Sequence, residues 1–202
     1  MKKIVFTIAT VFAIGITANA QEVKFGPKAG VNFSNLSKGS DFNDAKMLTS
    51  FHVGAVAEIK FNDKFSVEPE LVYSSQGSEV TNFSTSSLVS TIKNDYINIP
   101  IMAKYYIIEG FSVEAGPQVG FLVKSETEVA ATSPLGSTTV KNDTKDSYNS
   151  TDFGVNFGLA YDFTNGFFIN GRYNLGLTDV LNENNGDAVK NNVIQVGVGF
   201  KF

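Results

Sequence analysis

In the last eleven residues, NVIQVGVGFKF, the side chains Ile194, Val196, Val198, Phe200 and Phe202 alternate with Val193, Gln195, Gly197, Gly199 and Lys201. Successive side chains of a strand point to opposite faces, so this stretch is a strand with one wholly apolar face. On the edge of a water-soluble sheet such a face invites aggregation. As the closing strand of a transmembrane β-barrel it meets lipid on one side and a polar lumen on the other.

Seven upstream stretches repeat the pattern, at about residues 23–35, 51–61, 65–75, 95–107, 111–124, 151–163 and 167–178. The expected fold is all-β, an eight-stranded antiparallel up-and-down transmembrane β-barrel. Three connections are short: Asn62-Asp63-Lys64, Ile108-Glu109-Gly110 and Thr164-Asn165-Gly166. Three-residue loops preserve facing, so Phe61 opposes Phe65 and Phe163 opposes Phe167, and two of them end in the glycine that a left-handed position favours. The other connections, residues 36–50, 76–93, 125–150 and 179–191, read as long loops rich in Ser, Thr and Asn. Short turns on one side and long loops on the other are the asymmetry of outer-membrane barrels. Pro100 has no N–H to give to a ladder, and a bulge is expected there.

The charges choose which face looks inward. Lys24, Lys28, Glu58, Lys60, Glu68, Glu70, Lys104, Glu114, Lys124, Asp162, Arg172 and Lys201 all fall on the polar face, interleaved with glycines. A Lys or Arg facing lipid at midplane costs about 2 to 4 kcal/mol, so this face is the lumen. An eight-stranded barrel is just wide enough for side chains to fill. Hairpin register sets Lys104 across from Glu114, a candidate ion pair, and Glu58 across from Glu68, a like-charge pair that calls for a cation such as Lys60 or Arg172. Arg172, the only arginine, is expected to point into the acidic cluster, where its fork can hold two carboxylates. Lys28, Glu58, Lys60, Glu68, Glu70, Lys104, Glu114 and Arg172 together form the expected lumen charge network, plugging the barrel.

The N-terminus, MKKIVFTIATVFAIGITANAQ, has two lysines, an apolar run and an Ala18-Asn19-Ala20 cleavage site. Residues 1–20 therefore read as a signal peptide and 21–202 as the barrel domain. The net charge of −4 becomes −6 once Lys2 and Lys3 are removed, which argues against a nucleic-acid partner. With no cysteine there is neither a disulfide framework nor a lipid-modified cysteine.

The sequence offers little to catalysis. His52, the only histidine, should face inward opposite Ser74 with Glu70 on the same face, a set far commoner as lumen lining than as a triad. No enzyme activity, cofactor or metal is expected. Asp41/Asp44 and Asp143/Asp146 read as solvated loop pairs, and the run from Asn182 to Asp187 as at most a weak calcium loop.

The segments FGPKAGVNFSNL, VEPELVYSSQG, YINIPIMAKYY, VEAGPQVGFLV, RYNLGLTDV and GVGFKF resemble the porin-family "outer membrane protein beta-barrel domain" proteins over essentially the whole mature chain. The resemblance implies an eight-stranded barrel of the OmpX or OmpA-membrane-domain kind, with PorT secretion-associated barrels among its relatives. It also implies that Ile194, Val196, Val198, Phe200 and Phe202 act as the signal read by the barrel-assembly machinery. The expected location is the outer membrane, with lipid and lipopolysaccharide as surroundings and a monomeric state. The expected role is structural or surface-interacting through the long outer loops. A porin-like channel for small solutes or ions and a secretion-associated component are the alternatives.

Overall fold

The computed structural model describes residues 22–37, 45–84, 86–133 and 136–202. The proposed signal peptide and the Asp41/Asp44 pair lie outside these. The strands are β1 (Glu22–Ser37), β2 (Ala45–Lys60), β3 (Phe65–Ser84), β4 (Ser86–Ile108), β5 (Phe111–Ser133), β6 (Gly136–Asp143), β7 (Thr151–Asp162), β8 (Phe167–Gly176) and β9 (Lys190–Phe200). All pairings are antiparallel. The ring runs β1-β2-β3-β4-β5-β7-β8-β9 and closes β9 back onto β1, from Lys28↔Gly199 to Ser37↔Lys190. Eight strands thus form the barrel, leaving no edge within it. Among the described residues the ninth, β6, pairs only with the upper half of β5, outside the ring.

Sidedness follows the alternation. Phe153 is 51% exposed and Val196 54% on the outer wall, whereas Lys104 is 1% and Arg172 3% exposed in the lumen. Aromatic pairs ring the short-turn end of the wall: Phe65 with Tyr105 at 4.9 Å, Tyr161 with Phe163 at 4.8 Å and Phe167 with Phe200 at 5.0 Å. Such aromatic girdles belong at a membrane–water interface.

The short turns hold as hairpins. The Phe61 N–H donates to the Phe65 carbonyl at 3.0 Å, while Asn62 Oδ1 accepts from the amides of Lys64 and Phe65. Gly110 (φ 77°) and Gly166 (φ 92°) occupy the left-handed positions. The middle turn differs in detail from expectation: Ile108 remains in β4 and pairs with Phe111, the register shift falling between Tyr106 and Ile108.

Three expectations are corrected. First, the polar stretches at 76–93 and 125–150 are largely strand rather than loop, and β2 begins at Ala45, inside the expected 36–50 loop. Thr81, Val89, Thr91, Ile92, Thr127, Val129, Thr138 and Val140 supply β-branched residues that favour a pleated surface. Residues 126–130 are half-buried on both faces and 138–143 exposed on both, so no period-two alternation announces this part of the sheet. Second, no bulge occurs at Pro100. The β3–β4 ladder passes from Pro69↔Ile101 to Val72↔Asn98, and β4–β5 from Pro100↔Gln118 to Ala103↔Ala115, without a change of register. The prolines interrupt hydrogen bonding locally and leave the alignment intact. Third, the bulge lies where Asp95↔Lys124 gives way to Tyr96↔Leu122, with Val123 as the extra residue. It sends Lys124 outward, its side chain 57% exposed, rather than into the lumen. Ser125 then turns inward and is buried.

Candidate functional site

The lumen is filled in layers. Nearest the short turns, Lys201 Nζ lies 2.6 Å from Glu58 Oε2 and 3.3 Å from Glu68 Oε2. Lys104 Nζ lies 3.3 Å from Glu68 Oε2 and 3.1 Å from Asp162 Oδ2. Ser66 donates to Glu58 at 2.7 Å, and the Tyr106 hydroxyl sits between Glu58 and Asp162, 2.7 Å from the latter. One layer on, Glu70 receives Lys28 Nζ at 3.0 Å and Arg172 Nη2 at 2.8 Å, while Arg172 Nε donates to Glu114 Oε1 at 2.9 Å. Removing ions from water costs several kcal/mol each, and that cost is met only when each finds close opposite charge and further hydrogen bonds. Here every buried lumen cation has at least one carboxylate within reach.

Above the ions is a carboxamide layer. Asn32 Nδ2 reaches Ser74 Oγ at 2.9 Å and the Ser75 carbonyl at 2.8 Å, Asn32 Oδ1 receives Gln195 Nε2 at 3.2 Å, and Asn174 donates to Asn156 at 3.1 Å. Asn191 donates to Gln76, which donates to Ser74 at 2.9 Å. At the long-loop end the lumen is roofed by an apolar cluster of Leu36, Ile92, Tyr96, Leu122, Tyr148, Val180 and Val189, with Leu181 packed against it. Two loops fold inward to build it. Asn149 Nδ2 ties the Asp179 and Leu181 carbonyls, each at 2.9 Å, and Asp179 Oδ1 accepts from the amides of Leu181 and Val189. Val180, Leu181 and Val189 in a mostly polar final loop, with Tyr96 and Leu122 on the lumen face of their strands, were the sequence signals of this roof.

The expected charge network is assembled differently from its register. Lys104 is aligned with Glu114, yet pairs with Glu68 and Asp162, because long side chains reach diagonally across a narrow lumen. Arg172 does hold two carboxylates, Glu70 and Glu114, but not Glu58 or Glu68. The cations on Glu58 and Glu68 are Lys201 and Lys104. Lys60 stands 5.0 Å over the Tyr106 ring, at the rim of an open vestibule of about 740 Å³ on the short-turn side. Asp162 and Lys201, placed on the lumen face by alternation but left out of the expected network, and Tyr106 complete it.

The Ser74, His52 and Glu70 side chains do not form a relay. His52 Nδ1 is 2.8 Å from Asn32 Oδ1, Ser74 Oγ accepts from Asn32 and Gln76, and Glu70 is held by two cations. A nucleophile needs its base within hydrogen-bond reach, and no hydrogen bond joins His52 to Ser74 or to Glu70. Among the described residues no group of three or more His, Asp or Glu gathers as a metal cage. Asp143 Oδ1 is occupied by the Lys145 amide at 3.0 Å, and Asn184 Nδ2 is turned to Asp179 and the Asp187 carbonyl.

Above the bulge the outer face becomes charged. Glu128 takes Lys141 Nζ at 2.6 Å and Lys93 Nζ at 2.9 Å, and Lys124 meets Glu126 at 2.8 Å. The hydrogen bonds from Lys141 and Lys93 hold the Glu128 carboxyl down to about 2. The change from Phe121 and Val123 to this charged belt marks where hydrocarbon ends.

A family model described as "Outer membrane protein beta-barrel domain" matches residues 19–182. Among solved structures, Ail, the attachment invasion locus protein of Yersinia pestis, is similar at 15% identity over 90% of this chain and 99% of its own, with a TM-score of 0.50. Neisserial surface protein A is similar at 11% identity over 91% and 100%, TM-score 0.44. The N-terminal β-barrel domain of Pseudomonas aeruginosa OprF follows at 14% identity over 90% and 100%, TM-score 0.38. No curated protein sequence matches the chain.

Proposed function

We propose that this chain, which belongs to the outer membrane protein beta-barrel domain family, is a non-enzymatic, non-conducting barrel of the outer membrane that serves as a structural and surface-interaction protein. One observation carries the reading: the lumen is occupied at every level, by two ionic layers, a carboxamide layer and an apolar roof, while the upper β2–β6 sheet projects beyond it. A plugged barrel has its surface to offer rather than its bore. The porin-like alternative draws on the vestibule at the short-turn end, which stops at the Lys201 layer. The terminal strand turns Ile194, Val196, Val198 and Phe202 to the outer wall, where barrel-assembly machinery would read them, with lipid and lipopolysaccharide around a monomer.

The test is electrical. Purified protein in a planar bilayer gives no large, stable conductance step, and a reproducible porin-sized current would overturn the plugged reading. The surface role is tested by joining Ser125 to Thr144, whose backbones already meet at 3.1 Å, so that residues 126–143 are removed. The shortened chain keeps a heat-modifiable barrel and loses retention of cells on protein-coated surfaces. Unchanged retention would count against the projecting sheet.

A further inference from the structure

The wall that faces lipid carries a furrow over the closing seam, at its short-turn end. Val53, Ala29, Val198 and Ile169 make one lateral row on the outer face, each aligned with the next across β2, β1, β9 and β8. One step nearer the turns Ala55 is aligned with Pro27, and Phe200 with Phe167. The Phe25 and Phe202 main chains exchange hydrogen bonds of 3.1 and 2.9 Å, which sets Pro27 against Phe200 between that pair and Lys28↔Gly199. In both rows the β1 residue is short and the β9 and β8 residues are long.

These differences in side-chain length shape a groove of about 690 Å³. Phe167 and Phe200, edge to face at 5.0 Å, wall one side together with Ile169, Val53 stands at the other, and Pro27 and Ala29 form the floor. Lys28 borders the groove, but its ammonium is held by Glu70 in the lumen at 3.0 Å, so no charge reaches the outer face here. The turn end of the groove is at Asn165, beside the aromatic belt. At the other end the next outward residue of β8 is Gly171, with nothing within 4 Å of an added Cβ, so no side chain closes the furrow there.

Between apolar surfaces in a bilayer there is no water to expel, and packing decides what associates with a wall. An acyl chain against a flat wall touches protein on one side. In this groove it touches the floor and both flanks, and its dispersion contacts multiply. The groove is continuous with the wall that lipid covers and opens at head-group level, so a lipid enters it without leaving its leaflet. From this shape, and resting on the outer-membrane reading above, we infer that the groove is a phospholipid site. One acyl chain of a lipid in the short-turn leaflet lies along it from Asn165 toward Gly171, with the head group at the aromatic belt. The chain is what the site selects, since the lining offers no charge to a head group. Because the groove crosses β1 and β9, the bound lipid braces the seam at which the ring closes.

The full chain folded in detergent is titrated with dipalmitoyl phosphatidylethanolamine, and lipid adducts are counted by native mass spectrometry. One lipid binds saturably. Ala29→Phe, which fills the floor, weakens it at least about tenfold, whereas Ala103→Phe, the same change at an exposed outer position of β4, leaves it within about twofold. Ala29→Leu falls between the two and keeps the site testable if the larger ring prevents folding. Dipalmitoyl phosphatidylglycerol binds like the ethanolamine lipid, and dihexanoyl phosphatidylethanolamine binds at least about tenfold more weakly. Equal binding by the Ala29 and Ala103 variants would mean ordinary wall lipid, and a tenfold preference between head groups would mean a head-group site. Protein dimers that vanish in Ala29→Phe would put a second copy in the groove. Each of these overturns the inference. A chain that gives no heat-modifiable band in phospholipid defeats the membrane reading and this inference with it, whereas a heat-modifiable barrel indifferent to Ala29→Phe defeats only this one.

Discussion

Arg172 Nη2 meets Glu70 Oε1 at 2.8 Å, joining β8 to β3 through the middle of the lumen. Because Arg172 Nε also holds Glu114 at 2.9 Å, one guanidinium ties three walls of the barrel together.

Arg172→Met should be strongly destabilising, since it leaves Glu114 buried without its cation and Glu70 with Lys28 alone. Stranding a buried charge costs about 3 to 5 kcal/mol. The loss should appear as a lower urea midpoint in the gel-mobility shift between folded and heated samples. Arg172→Lys keeps the charge but loses the fork, and should fall between the two. A midpoint unchanged in the Met variant would mean that the layer contributes nothing to stability.

Gly26 lies at the seam where β1 meets the last residues of the chain. A Cβ there would run into the Phe200 carbonyl, a backbone atom that cannot move aside. Gly26→Ala should therefore open the closing seam and abolish the heat-modifiable band. Gly171, on the lipid face, has nothing within 4 Å of an added Cβ, and Gly171→Ala should fold normally. Equal behaviour of the two variants would show that strand closure is not the limiting contact.

His52→Ala should be tolerated. The imidazole makes one hydrogen bond, to Asn32 Oδ1, and Gln195 still donates to that atom in its absence. The expected loss is about 1 kcal/mol with a folded barrel. Activity on lipid or peptide substrates that disappeared in this variant would restore the catalytic reading of Ser74 and Glu70.

Glu128 provides the pH dependence of the projecting sheet. Its folded value, about 2, is below the ordinary 4.5, so its contribution is complete above pH 4.5 and is lost as pH falls through 4.5 toward 2. The group is near the surface, so salt weakens the effect. Carbon-13 titration of the carboxyl in low salt should give a midpoint near 2 that rises in Lys141→Ala. A midpoint at 4.5 in the unmodified chain would exclude the Lys93–Glu128–Lys141 bridge from solution.

Much of the barrel was legible because alternation is a local property. Phe153, Phe157 and Leu159 share a face by chain geometry alone, and the short turns carried that facing from one strand to the next without any knowledge of the whole. The projecting sheet was not legible, since residues as accessible on one face as on the other carry no record of which side is buried. The roof was equally hidden: Val180 and Val189 look like stray apolar residues until a second loop brings Tyr148 against them.

By itself the sequence determined the strand count of the ring, its sidedness and, below the bulge at Val123, the residues that line the lumen, because each rests on the two-residue period of an extended chain. Only the tertiary structure decided which lumen charge meets which. Lys104 chooses Glu68 and Asp162 over the aligned Glu114, and Lys201 arrives at Glu58 from the far end of the chain. In a bore this narrow, flexible side chains from all walls compete for the same space. Their pairing depends on the closure and stagger of the whole ring, which no single strand encodes.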